Sequence, residues 1–204
     1  MAAEWDNLEM VCDYRDEFLK MLWPQTNLTP PLMTIVDFGC GTGLLIEHLC
    51  SNNTRVIGID ASPSMIEQVS LKIKTREWTN VEAFCAVLAD LEKDNGITDE
   101  ATRQAIQGLS GQVDLIVASS VLNFIPASDQ AATMRALETL LKPKTGILIH
   151  SDWPVCEKMP DGMTHEQAMN LYSMGGLNLL RTKELTFAMG GESCPVYVGV
   201  AQKM

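Results

Sequence analysis

The chain has 204 residues, 46% hydrophobic and 20% charged, enough for one domain with a sizeable core. Fifteen Lys and Arg against 26 Asp and Glu leave a net charge of −11, and no basic cluster faces a phosphate backbone, so a small-molecule partner is expected and nucleic acid is not. No apolar run approaches the roughly 20 residues that span a bilayer, and the acidic start Met1-Ala2-Ala3-Glu4-Trp5-Asp6 is unlike a signal or transit peptide, so a cytoplasmic location without membrane attachment is expected.

The first predicted element is an amphipathic helix over Asp6–Trp23, with Leu8, Val11, Phe18, Leu19 and Leu22 at helical spacing and Asp6 as its cap. Pro24, Pro30 and Pro31 end it. Thr34–Phe38 reads as a strand buried on both faces, and the helix after it carries Leu45, Ile46 and Leu49. Arg55–Ile59 is the second strand, ending at Asp60, and Ser62-Pro63 offers a cap and a first-turn proline to a helix with Ile66, Val69 and Ile73 inward. Val81–Leu88 is the third strand, ending at Ala89-Asp90-Leu91. A polar connection follows, with a short helix from Thr98 whose inner face is Ala101, Ala105, Ile106 and Leu109. Val113–Ala118 is a fourth strand, Ser119–Pro126 a loop, and the next helix turns Met134, Leu137 and Leu141 inward until Lys142-Pro143 stops it. Thr145–Ser151 is the fifth strand.

Beyond it the pattern changes. Thr164-His165-Glu166-Gln167 has the form of a capping box, opening a helix that ends at Gly175-Gly176. Leu179–Ala188 and Pro195–Lys203 read as strands; in the second, Val196, Val198 and Val200 alternate with Tyr197, Gly199 and Ala201. So short a connection permits only an antiparallel hairpin. Strands alternating with helices predict a doubly wound, mostly parallel α/β sheet with helices on both faces. The expected organisation is a single domain over 1–204: a helix and linker over 1–31, an α/β core over 32–153, and a helix and hairpin over 154–204. The six cysteines (Cys12, Cys40, Cys50, Cys85, Cys156, Cys194) contain no C-x-x-C pair, which speaks against a zinc site or disulfide framework and predicts mostly buried, reduced thiols and no metal.

The most informative stretch is Ile35-Val36-Asp37-Phe38-Gly39-Cys40-Gly41-Thr42-Gly43-Leu44-Leu45. Glycines at alternate positions remove Cβ atoms where the backbone turns tightly and a ligand lies on it, and a helix opening near Gly43 would aim its free N–H groups at that ligand. A dinucleotide fingerprint would need glycine where Leu44 stands, and a phosphate loop would need Gly-Lys-Ser/Thr. Asp-x-Gly-x-Gly-x-Gly followed by Ile57-Gly58-Ile59-Asp60-Ala61-Ser62 instead resembles motif I and its sequel in the class I S-adenosylmethionine-dependent methyltransferases.

That resemblance covers nearly the whole chain and implies a seven-stranded sheet closed by the C-terminal hairpin. It implies S-adenosylmethionine as cofactor and S-adenosylhomocysteine as product. Gly39, Cys40, Gly41 and Gly43 would border the methionine and ribose part, with Asp37 reaching toward the amino group. Asp60 would take both ribose hydroxyls, since two carboxylate oxygens match a vicinal diol, with Ala61 beside it. Met65, Asp90 and Leu91 would meet the adenine, and Ser119 and Ser120 would line the methionine end. The leading helix often folds over the cofactor in such proteins, which makes Trp5 and Tyr14 lid residues.

Methyl transfer from a sulfonium is an in-line displacement, so the protein must chiefly align the nucleophile and exclude water. His150 and Asp152, ending the fifth strand, are the expected base or substrate ligand if one is used. His48 is expected to be structural, and His165 opens the next helix. Asn123 falls near where many small-molecule relatives carry histidine. Ser119-Ser120-Val121-Leu122 replaces the Asn-Pro-Pro-Tyr type motif of the nucleobase amino methylators. The expected activity is methyl transfer to O, N, S or C of a small molecule; a protein methyltransferase and a non-catalytic cofactor-binding subunit stay open as alternatives. The acceptor and the oligomeric state are not legible.

Overall fold

The computed structural model describes residues 6–26, 28, 33–50, 54–91, 98–155 and 162–204. Trp5, Pro30, Pro31 and Cys156 lie outside the described residues. The helices are α1 (Glu9–Thr26), α2 (Ile46–Leu49), α3 (Pro63–Thr75), α4 (Glu100–Gln107), α5 (Ala127–Leu140) and α6 (His165–Gly175). The strands are β1 (Met33–Phe38), β2 (Thr54–Asp60), β3 (Val81–Cys85), β4 (Leu115–Ser119), β5 (Ile147–Asp152), β6 (Asn178–Met189) and β7 (Glu192–Gln202).

The seven strands form one sheet in the order β3-β2-β1-β4-β5-β7-β6. β1 to β5 pair in parallel, and β7 pairs antiparallel with both β5 and β6. The two-residue turn Gly190-Gly191, at φ 54° and 77°, takes the left-handed backbone that a tight hairpin demands. The order reverses between β1 and β4. Open α/β sheets leave a crevice at the carboxyl ends of the strands flanking such a reversal.

Period-two alternation sends each strand's apolar residues to both faces. One face buries Val36, Ile57 and Ile116 under Ile106, Leu137 and Leu171 of α4, α5 and α6. The other buries Ile35, Val56 and Leu115 under Phe18, Ile46 and Val69 of α1, α2 and α3. Val196 through Ala201 are all buried, because β7 lies inside the sheet and both its faces are covered.

Several local expectations change. α1 starts at Glu9 and runs through Pro24, and the Thr26 hydroxyl closes its last turn by donating to Leu22 O at 3.0 Å. Asp6 does not cap it; its carboxylate accepts from the Thr42 hydroxyl and from Lys72 Nζ. α2 opens at Ile46 rather than near Gly43, and the Gly43 N–H is already given to Cys40 O at 2.9 Å. So short a helix sums few peptide dipoles, so the polar helix end expected there is not built.

β3 stops at Cys85 because the chain then turns into a 3-10 segment, Leu88–Asp90, held by Asp90 N–H to Val87 O. α4 begins two residues beyond Thr98, at Glu100, with Asp99 accepting from Thr102 N–H, and only Ile106 and Leu109 of its expected inner face are buried. β4 begins at Leu115, since Val113 forms an isolated bridge to Leu141. The capping box at Thr164 and Gln167 forms as read, and Gly176 ends α6 at φ 69°. All five described cysteines are free thiols, but only Cys40 is buried, the other four lying half-buried at element ends or on α1.

Candidate functional site

Strand alternation decides which polar side chains meet. Asp37 shares its face with Ile35, and Ser119 and Ser151 are register partners on that same face. Above them, between α1, the glycine loop and the start of β7, lies a cavity of about 920 Å³. Met10, Val11, Tyr14 and Arg15 roof it; Asp37, Gly39, Cys40, Gly41 and Thr42 floor one end. Ser119, Ser120, Phe124, Trp153 and Glu192–Pro195 bound the other, and Met65 also lines it.

Two glycines explain the loop's shape. At Gly39 (φ 71°) an added Cβ would lie 2.4 Å from Val121 Cγ2, so the loop passes too close for a side chain. At Gly41 (φ 53°) an added Cβ would meet nothing within 4 Å. Bare backbone therefore faces the open space.

Asp60 clamps the loop from beneath. Its Oδ2 accepts from Gly41 N–H at 2.9 Å and its Oδ1 from Ser62 N–H at 2.8 Å. It stands outside the cavity lining with Ala61, which is exposed, and Gly43, which is buried. Asp37 is buried, and its Oδ2 has no hydrogen-bond partner. Burial first, then the charge of Asp60, pushes its carboxyl up to about 7.

Ser120 holds the left-handed conformation at φ 56°, which strains a non-glycine residue by about 1–2 kcal/mol. It is fixed by its N–H to Ser151 O at 2.7 Å and by Trp153 Nε1–H donating to its Oγ at 3.1 Å. Tyr14 hangs from α1 into the same corner. Its hydroxyl lies 2.7 Å from Ser151 Oγ and 3.2 Å from Ser151 O, and burial raises its phenol far above the ordinary range.

The structure places the remaining predicted residues elsewhere. His150 and Asp152 point to the opposite face of β5. His150 is fully buried, its Nδ1 bonded to the Tyr172 hydroxyl and its Nε2 without a partner, and burial lowers its pKa to about 3. A neutral imidazole packed on Tyr172 and Tyr197 is not at a substrate opening. Asp152 is likewise buried, and burial pushes it up to about 8 against the opposing influence of the backbone at Asn123 and Leu122. Asn123, in a 3-10 turn, buries its Oδ1 without a partner, outside the lining. Asp90 and Leu91 are buried in and just after the turn that replaces the end of β3, also outside the lining. His48 is exposed on α2, and His165 Nδ1 meets the Tyr197 hydroxyl at 3.0 Å.

The cavity thus gathers Tyr14, Asp37, Gly39, Cys40, Gly41, Met65, Ser119 and Ser120. Sequence reading missed Ser151, Trp153, Phe124 and Glu192–Pro195. Ser151 had a signal, its even spacing from Ile147 and Ile149; the hairpin residues had none, because only the folded β7 brings them to α1.

A family model for a methyltransferase domain matches residues 36–148. A Schizosaccharomyces pombe protein described as an uncharacterized methyltransferase is 28% identical over 182 residues, 83% of this chain and 60% of its own length. A ubiquinone biosynthesis O-methyltransferase of Acinetobacter baylyi is 24% identical over 109 residues, 53% of this chain and 39% of its own length. The chain therefore matches less than two thirds of the length of either. A solved SAM-dependent methyltransferase from Aquifex aeolicus shares the fold at TM-score 0.69 and 15% identity, covering 98% of both chains.

Proposed function

The chain belongs to the methyltransferase domain family, and from that premise we propose that it transfers the methyl group of S-adenosylmethionine to a small-molecule acceptor. One observation carries the proposal: the bare backbone at Gly41 and the buried carboxyl of Asp37, whose Oδ2 has no partner, line one cavity at the sheet's order reversal. A ligand with a cationic amino group fits a buried carboxyl lacking a partner, since ion pairing offsets its desolvation. When bound, S-adenosylmethionine supplies a methyl carbon already activated for displacement by its sulfonium.

The protein's own residues then have positioning tasks. Gly39, Cys40 and Gly41 bring the backbone close to the cofactor, with Gly43 shaping the loop behind them. Asp60 holds Gly41 in place and keeps lone pairs free for ribose hydroxyls, since each carboxylate oxygen accepts more than one hydrogen bond. Ala61 leaves the approach to it unobstructed. Met65 packs on the adenine, while Asp90 and Leu91 are assigned to it on the family resemblance alone. Ser119 and Ser120 border the methionine end. Tyr14, fixed to Ser151, holds α1 as a roof that excludes water.

Space beyond the glycine loop, out to Phe124 and Trp153, favours an enzyme over a non-catalytic cofactor-binding subunit. The O-methyltransferase relative supports a small-molecule acceptor over a polypeptide. Calorimetric titration with S-adenosylmethionine and S-adenosylhomocysteine, with NAD as control, is the test. Binding of the first two alone, followed by transfer of labelled methyl in an acceptor screen, is expected; no binding would refute the proposal.

A further inference from the structure

Beyond the residues assigned to the cofactor, the cavity is walled by rings. Tyr14 and Trp153 pack together with centroids 5.2 Å apart, and Pro154, Pro195 and Phe124 continue the wall. Both amphipathic rings have spent their polar groups inward. The Tyr14 hydroxyl is held by Ser151, and the Trp153 indole N–H is given to Ser120 Oγ. What they turn to the cavity is therefore apolar ring surface that offers dispersion and π contact with no hydrogen bond.

Two large apolar side chains, Phe124 at 67% and Met10 at 58% exposure, stand in water among the same lining residues. Single exposed apolar residues need no explanation, but here two of them line the same cavity. The lining residue Arg15 is already paired with Asp16, Nε to Oδ1 at 2.8 Å, so its charge is met within α1 rather than held for an anionic acceptor.

Resting on the reading of the site as a methyltransferase cleft, we infer that the acceptor is an uncharged molecule with an apolar, ring-bearing body, seated between the Tyr14–Trp153 pair and Phe124. Its nucleophilic atom is the polar end, turned toward Ser119 and Ser120, and its ring replaces water against the wall. Polyols, sugars and free amino acids are disfavoured, because their hydroxyls and charges would be desolvated against a surface that returns no hydrogen bond.

The test is calorimetry on the full chain saturated with S-adenosylhomocysteine, using 2-naphthol as the ring probe and glucose as a polar probe. Naphthol should bind and glucose should not. Phe124→Ser, at an exposed position that folding does not require, should weaken naphthol by about tenfold while the affinity for S-adenosylhomocysteine holds; Trp153→Ala should weaken naphthol as much, and its loss of the bond to Ser120 is read separately as any change in S-adenosylhomocysteine affinity. If S-adenosylhomocysteine itself does not bind, the cofactor reading fails first. If it binds but naphthol does not, or naphthol binds equally well to Phe124→Ser and Trp153→Ala, the ring-acceptor inference is overturned.

Discussion

Substituting Gly41 by alanine separates ligand approach from folding. The new Cβ meets no atom within 4 Å, so it creates no internal clash, and the backbone N–H still reaches Asp60 Oδ2. The cost to the fold is the left-handed conformation at φ 53°, about 1–2 kcal/mol for a residue with a Cβ. Against a total stability of about 5–15 kcal/mol the protein stays folded, with a melting temperature lowered by about 2–8 °C. The methyl group, however, projects where the cofactor would lie on bare backbone. Overpacking of that kind costs about 1–3 kcal/mol, which is about a 5- to 150-fold loss of affinity. Gly39→Ala is the control with the opposite balance: its Cβ would lie 2.4 Å from Val121, so stability should fall further than for Gly41→Ala. Calorimetry with S-adenosylhomocysteine and thermal melts by circular dichroism read the two effects. A folded Gly41→Ala protein with unaltered affinity would show that the ligand does not approach there.

Asp60→Ala should weaken cofactor binding at least about tenfold, because the ribose hydroxyls and the Gly41 N–H lose a charged acceptor; unchanged affinity removes Asp60 from the site. Asp37 sits near 7, so it is protonated below that pH and charged above it. Affinity for the cationic cofactor should therefore rise between pH 6 and 8, and titrations of Asp37→Asn should show a flat profile instead. Asp152 binds its proton up to about pH 8 in the native state, whereas an unfolded aspartate releases it near 4. The native state thus holds more protons through that window, and stability falls as pH rises from about 4 to about 8. Asp152→Asn should melt higher than the parent at pH 8.5 and close to it at pH 4; equal melting at both would mean that Asp152 is not desolvated.

Part of the fold and of the cavity's floor is legible in the sequence because it depends on local chemistry. The glycine spacing, the acidic ends of β1 and β2 and the capping box at Thr164 each depend on a few adjacent residues, and all lie where they were read. The end of β3 was not readable: nothing near Leu88 distinguishes a buried strand from a buried 3-10 turn. His150 and Asp152 were read as facing the site from their position at a strand end, but the face is set by parity against Ser119 and Ser151 across the β4–β5 register.

The sequence by itself therefore determined the fold class, the strand count and the glycine loop, since hydrophobic period and φ-permissive residues act within a single turn or strand. Only the tertiary structure decided that β7 is an interior strand covered on both faces, that Asp6 ties the N-terminal segment to Thr42 and Lys72, and that Tyr14, Trp153 and Pro195 line one cavity. Those relations join residues far apart in the chain. They are set by which surfaces the sheet leaves to be covered, and no local pattern encodes that.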